Sequence, residues 1–237
     1  MPDLPSAASS CAGASERAVT RIFLLSPANC EGRRAQQVLS ARATFLLAEE
    51  LRSARGAPLG DLFAFISGLY FRGKLTYARR FAAPPEPGNP IVGQGVHIIT
   101  ASSGLREPDT RITPAAMRAF ASADVHPDNA KYRRPLERSA RAIAREIGRD
   151  CEVVLLGSIA TRKYTDVLLE VFGSQLRFPV DFVGRGDMSR GGLLLRKAEE
   201  GRELDYAPVA GANLHGARPP KLPPLPRRIA ELQDYKK

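Results

Sequence analysis

Three short apolar runs constrain the fold more than anything else in this chain: RIFLLSPA (21–28), VHIITASSGL (96–105) and CEVVLLGS (151–158). Each is apolar at successive positions rather than alternate ones, which suits strands covered on both faces. Each leaves through Ser, Gly or Pro and is followed by residues at helical spacing. A fourth strand-like segment, LRFPVDFVGR (176–185), contains Pro179, which places it near a sheet edge. Strands alternating with helices predict one α/β domain over 18–215, with a mostly parallel sheet flanked by helices. Right-handed crossovers bring the strand exits to one edge, where open α/β sheets bind ligands.

The intervening segments fit that plan. Residues 59–82 read as a helix pair, or as one helix broken at Gly68 and Gly73. Thr113 followed by Pro114 predicts an N-cap and first helical residue. Residues 132–150 form an amphipathic helix with Leu136, Ala140, Ile143 and Ile147 on one stripe. RKYTDVLLEVFG is a helix ended by Gly173, and MSRGGLLLRKAEEGREL begins as a glycine-containing turn before becoming helical. Residues 1–17 are small and polar, a composition that predicts disorder. Residues 216–237 carry Pro219, Pro220, Pro223, Pro224 and Pro226, which favour an extended spacer or strap over a docking motif for a protein partner.

The formal net charge is +10, which favours polyanionic partners such as DNA or RNA. Cys11, Cys30 and Cys151 have no paired spacing and the three His are scattered, so neither a zinc site nor a disulfide framework is expected. No cofactor or metal is called for. The first residues lack the pattern of a secretion signal, and no apolar run approaches membrane-spanning length. The expectation is a cytoplasmic chain with no membrane association.

Polar residues gather at the strand exits, and these supply the candidate site. Ser26 and Asn29 in SPANCEG can hold an anion or a base edge, although Asn29 also suits a simple turn cap. SGLYFRGKLTYARR places Tyr70 between Gly68 and Gly73, for stacking on a base, with Arg72 and Lys74 for phosphates. Ser102, Ser103 and Gly104 end the second run, and Asp109 follows as a candidate general base. Ser158, Arg162, Lys163 and Tyr164 mark the third exit, where Thr161 is the expected helix cap. Ser189, Arg190 and Gly191 lie in GRGDMSRGG, with Asp187 as a second candidate acid or base and Asp181 as its possible carboxylate partner. No nucleotide-triphosphatase loop, serine triad or zinc-protease motif is present.

Several of these blocks, in this order, resemble the YaaA family of bacterial peroxide-stress proteins. LLSPAN is similar to that family's S-P-A-K exit, FISGLYFRGKLTYA to its glycine–tyrosine segment, and IITASSGLREPDTRITP to its central glycine–leucine stretch. LLGSIATRKYTDVL and DMSRGGLLLR resemble its later blocks. The resemblance picks out Ser26, Gly68, Tyr70, Gly104, Ser158, Tyr164, Arg190 and Gly191. It departs at Asn29, where the family has Lys, and at PAAM (114–117), which lacks the family's Arg and Glu. It implies an α/β protein associated with DNA and with protection from oxidative damage. Two functions follow as expectations. One is association with nucleic acid or nucleotides. The other is an enzyme that hydrolyses or modifies a nucleotide or nucleobase at the sheet edge, with Asp109 and Asp187 as its acid–base groups.

Overall fold

A computed structural model describes residues 19–160, 162–212, 216–217 and 219–223. The disorder expected of 1–17, the cap expected of Thr161, and the tail beyond 223 lie outside the described residues. The chain runs β1 (Arg21–Leu25), α1 (Arg33–Leu39), α2 (Leu46–Arg52), β2 (Ala57–Pro58), α3 (Leu59–Ser67), α4 (Leu69–Phe81), β3 (Val96–Thr100), β4 (Gly104–Arg106) and β5 (Arg111–Ile112). It continues with α5 (Pro114–Ala121), α6 (Ala130–Ile147), β6 (Glu152–Leu156), α7 (Arg162–Phe172), β7 (Leu176–Pro179), α8 (Asp187–Glu200) and β8 (Tyr206–Pro208).

Six strands form one sheet in the order β4-β3-β1-β6-β7-β8, while β2 and β5 make a small separate ribbon. The four central strands, β3, β1, β6 and β7, are parallel, and β4 and β8 are antiparallel edges. The α/β class and the largely parallel sheet flanked by helices are therefore as expected. Side chains of β1 alternate between two cores, which explains its unbroken apolar run. Phe23 and Leu25 join one core with α1, α2, α3, α4, α5 and α8. Ile22 and Leu24 join the other, under α6 and α7.

Local signals set some of the boundaries. Thr113 caps α5 by accepting a hydrogen bond from the Ala116 amide, with Pro114 as first helical residue. Gly68, at φ +63°, divides α3 from α4. Three expectations are corrected. Gly73 does not break a helix but lies inside α4. Gly191 and Gly192 are likewise inside α8, which is helical from Asp187; the glycine turn lies before it, at Gly184 with φ +71°. The second apolar run stops at Thr100 and reverses into β4. Pro179 lies near an edge as expected: β7 is next to the edge strand, the three-residue β8, and Pro179 is the last residue of β7.

Two of these three helical glycines, Gly73 and Gly191, have a common cause. A Cβ on Gly73 would lie 2.6 Å from the Gly191 carbonyl oxygen, and one on Gly191 would lie 2.7 Å from the Tyr70 Cα. Glycine at both positions lets α4 and α8 cross with their backbones touching. Part of the proline-rich segment packs on α8: Arg196 donates to the Pro223 carbonyl, and Leu222 lies against the core. No helix among the described residues is long and apolar enough to cross a membrane.

Candidate functional site at the sheet edge

The chain passes from β1 to β3 on one side and returns to β6 on the other, so the direction of strand order changes at β1. Such a switch point leaves a crevice beyond the carboxyl ends of the two diverging strands. Here those ends are Ser26 and Gly157. The Ser26 amide donates to the Leu156 carbonyl at 3.1 Å, extending the β1–β6 ladder past both strands. A Cβ on Gly157 would meet the Ser26 Cβ at 2.9 Å, so only glycine allows this approach.

Lys74 reaches this point from α4. Its Nζ donates to the Ser26 carbonyl at 2.6 Å and to the Ser26 hydroxyl at 2.9 Å. It also stands over the rings of Tyr70 and Phe71, 4.5 and 4.7 Å from their centroids. Lys74 is 1% exposed, Ser26 5% and Tyr70 7%. Lys74 makes no salt bridge among the described residues. Burial pulls its ammonium down to about 7; nearby Asp187 favours the charge and Arg190 opposes it.

Arg190 enters from α8. Its guanidinium donates to the Phe182 carbonyl at 2.8 and 3.2 Å, lies over the Phe182 ring, and stands 3.5 Å from the Asp187 carboxylate. The Tyr70 hydroxyl is buried without a hydrogen-bond partner among the described residues. Arg190 is its neighbour and opposes the rise that burial imposes on the phenol. Burial raises the Tyr70 and Tyr164 phenols, and Asp187 raises both further.

The edge therefore brings together Ser26, Tyr70, Lys74, Tyr164, Asp187 and Arg190 from β1, α4, α7 and α8. Ser158 is half-buried just past β6, and Arg162 and Lys163 are exposed at the start of α7. The first turn of α7 carries no acidic residue, so its dipole faces outward without a carboxylate of its own. Two expectations need correction. Lys74 is not a surface phosphate contact but a cation buried beneath the edge. Tyr70 is not available for stacking on a base, because its ring is packed inside.

The remaining candidates serve other contacts. Asn29 is exposed, and its side chain accepts from the Glu31 amide at 3.0 Å, closing a local turn. Gly68 supplies the positive φ between helices, beside Arg34. Arg72 is half-buried in the first turns of α4, and its Nε has no partner among the described residues. Ser102 and Ser103 lie in the β3–β4 turn, which Thr100 closes by donating to the Gly104 carbonyl at 2.7 Å and accepting from Ser103 at 3.0 Å. Gly104, at φ +71°, lets that turn approach the Pro135 carbonyl, which a Cβ there would strike. Asp109 is exposed in an ion pair with Arg79 at 2.7 Å, and none of the edge residues is its partner. Ser189 accepts from Arg185 at 3.4 Å, and Asp181 pairs with Arg185 rather than with Asp187. Gly191 is the helix-crossing glycine.

Sequence reasoning passed over Gly157, whose requirement arises from a strand 131 positions away in the chain at Ser26. It also passed over Phe182, whose carbonyl anchors Arg190. Neither has a local signal. Comparison with family models, curated proteins and solved structures gives no match to this chain.

Proposed function

We propose that this edge binds the phosphate-bearing portion of a nucleotide or nucleic acid. The observation that carries the reading is Lys74, a buried cation with no salt-bridge partner among the described residues, placed at the switch point of a parallel sheet. A positive charge in a weakly polarisable interior acts over a longer range than one in water. Lys74 would attract the anion from beneath, while Arg190, Ser158 and the α7 N-terminus contact it from the partly exposed side. An arriving dianion favours the ammonium form, so binding takes up a proton. Affinity should then rise as pH falls through about 7, the value burial gives Lys74.

The likeness to the YaaA family supports DNA as the source of that phosphate, in a cytoplasmic protein that protects against peroxide damage. One observation favours a second, catalytic reading. An amine near neutrality is suited to proton transfer, and Asp187 is the carboxylate beside it. On that reading Asp187 and Lys74, rather than Asp109, act on a nucleotide or nucleobase.

The test is thermal stabilisation of the full chain by nucleoside mono- and diphosphates at pH 6.5 and 8, alongside Arg190→Ala and Lys74→Met. A native-state ligand raises the melting temperature. Stabilisation that is larger at pH 6.5 and reduced at least tenfold in affinity by either variant supports the edge as the site. Equal stabilisation of all three proteins removes it. Loss of turnover in Asp187→Asn with binding retained selects the catalytic reading.

A further inference from the structure

Helix α6 carries a second cationic feature, away from the switch point. Its apolar stripe, with Tyr132, Leu136, Ala140, Ile143 and Ile147, is buried against the sheet. Arg134, Arg138, Arg141 and Arg145 follow one another at spacings of four, three and four, which aligns them along the opposite face. All four are exposed. At 1.5 Å per residue the stripe is about 16 Å long. A shallow surface cavity of ≈ 280 Å³ lies among these arginines and Glu137.

We propose that this stripe docks the phosphodiester backbone of a nucleic acid. Helix faces that only meet water commonly interleave acids and bases at i,i+4 spacing. Here Glu137 is the one acid within the stripe, and it is bonded to Arg141 at 2.7 and 3.0 Å. The nearby acids are engaged elsewhere: Glu170 accepts from Arg133, and Glu146 accepts from Asn89. Arg134, Arg138 and Arg145 make no salt bridge among the described residues. Arginine presents a planar fork that grips phosphate oxygens in pairs. Among the described residues the exposed large apolar ones are Val19, Leu46, Ile91, Val180 and Met188, none of them on α6. An interfacial membrane helix needs such residues beside its cations.

The stripe begins at the same edge as the switch point, because α6 returns the chain to the start of β6 and the Tyr132 hydroxyl donates to the Lys163 carbonyl at 2.9 Å. The inference stands without the edge site, however, since none of its arginines belongs to that cluster.

Fluorescence anisotropy with a labelled 20-base-pair DNA duplex and the matching single strand tests it. The full chain is compared with Arg134→Gln/Arg138→Gln and with the charge reversal Arg138→Glu/Arg145→Glu, each checked by circular dichroism for an unchanged helix signal. Either double variant should weaken binding of at least one probe tenfold or more. The slope of log affinity against log salt should fall by about one for each phosphate that is no longer neutralised. Arg118→Gln, at an exposed arginine of α5 outside both surfaces, is the control: it should leave this binding within about twofold. Affinity unchanged in both arginine variants overturns the proposal. So does preferential, arginine-dependent capture by vesicles containing phosphatidylserine with neither DNA probe bound.

Discussion

The two rims of the central sheet hold their charges in opposite ways. At the amino-terminal rim, Glu152 accepts from Arg21 at 2.6 Å and pairs with Arg177 at 3.0 Å, while Glu203 takes the other end of Arg21. The Arg21 guanidinium also lies over the Tyr206 ring, 4.7 Å from its centroid. At the carboxyl-terminal rim, Lys74 has a carbonyl, a hydroxyl and two ring faces. Arg190 has a carbonyl and one loose carboxylate contact. The Tyr70 hydroxyl is buried without a partner among the described residues. A folded chain satisfies its buried polar groups unless something else is gained. The amino-terminal rim is built as a structural joint. The other rim keeps its charges undercompensated, in the place where an anion would compensate them.

This contrast can be tested from its strong side first. Glu152→Ala leaves two partly buried guanidinium groups without their shared carboxylate. It should cost roughly 2–3 kcal/mol in urea unfolding, somewhat less than a fully buried pair would. A loss below about 0.5 kcal/mol would mean that the amino-terminal rim is no tighter than the other.

Lys74→Met probes the carboxyl-terminal rim through pH. The Lys74 ammonium falls from the ordinary 10.5 to about 7 in the folded chain. Between those values the unfolded chain binds more protons than the folded one, so stability rises with pH across the window. Below about 7 both states are charged and this dependence disappears. Wild type should therefore gain roughly 2 kcal/mol relative to Lys74→Met between pH 7 and pH 9. Parallel pH profiles for the two proteins would show that Lys74 is charged in the fold throughout.

The smallest effect is expected at Tyr70. Tyr70→Phe removes a buried hydroxyl that has no partner, so it should leave stability unchanged or raise it by about 1 kcal/mol. A loss of similar size, read from the same unfolding curves, would reveal a hydrogen bond that the tyrosine makes.

Much of the fold was legible in local sequence. The unbroken apolar runs of β1, β3 and β6 required helices on both faces, and Thr113 and Pro114 marked the start of α5. The apolar stripe of α6 was evident from its spacing, and the same helical period sets the arginines on its opposite face. Ser26, Tyr70, Lys74, Arg190 and Asp187 were identifiable as polar groups near strand and helix ends. Their accessibility was not. The sequence places cations near the edge but does not say which one is enclosed, and Lys74 and Arg72 differ in that respect although they are two positions apart on one helix.

Local sequence thus determined the strand–helix alternation, because backbone propensity and apolar periodicity act over a few residues. It also determined the excess of positive charge. Only the tertiary structure decided that Gly73 and Gly191 join two helices rather than end them, that β8 covers β7, and that Lys74 lies beneath Ser26 instead of facing water. Those outcomes depend on contacts between segments far apart in the chain, where close packing and desolvation act on groups that no local pattern brings together.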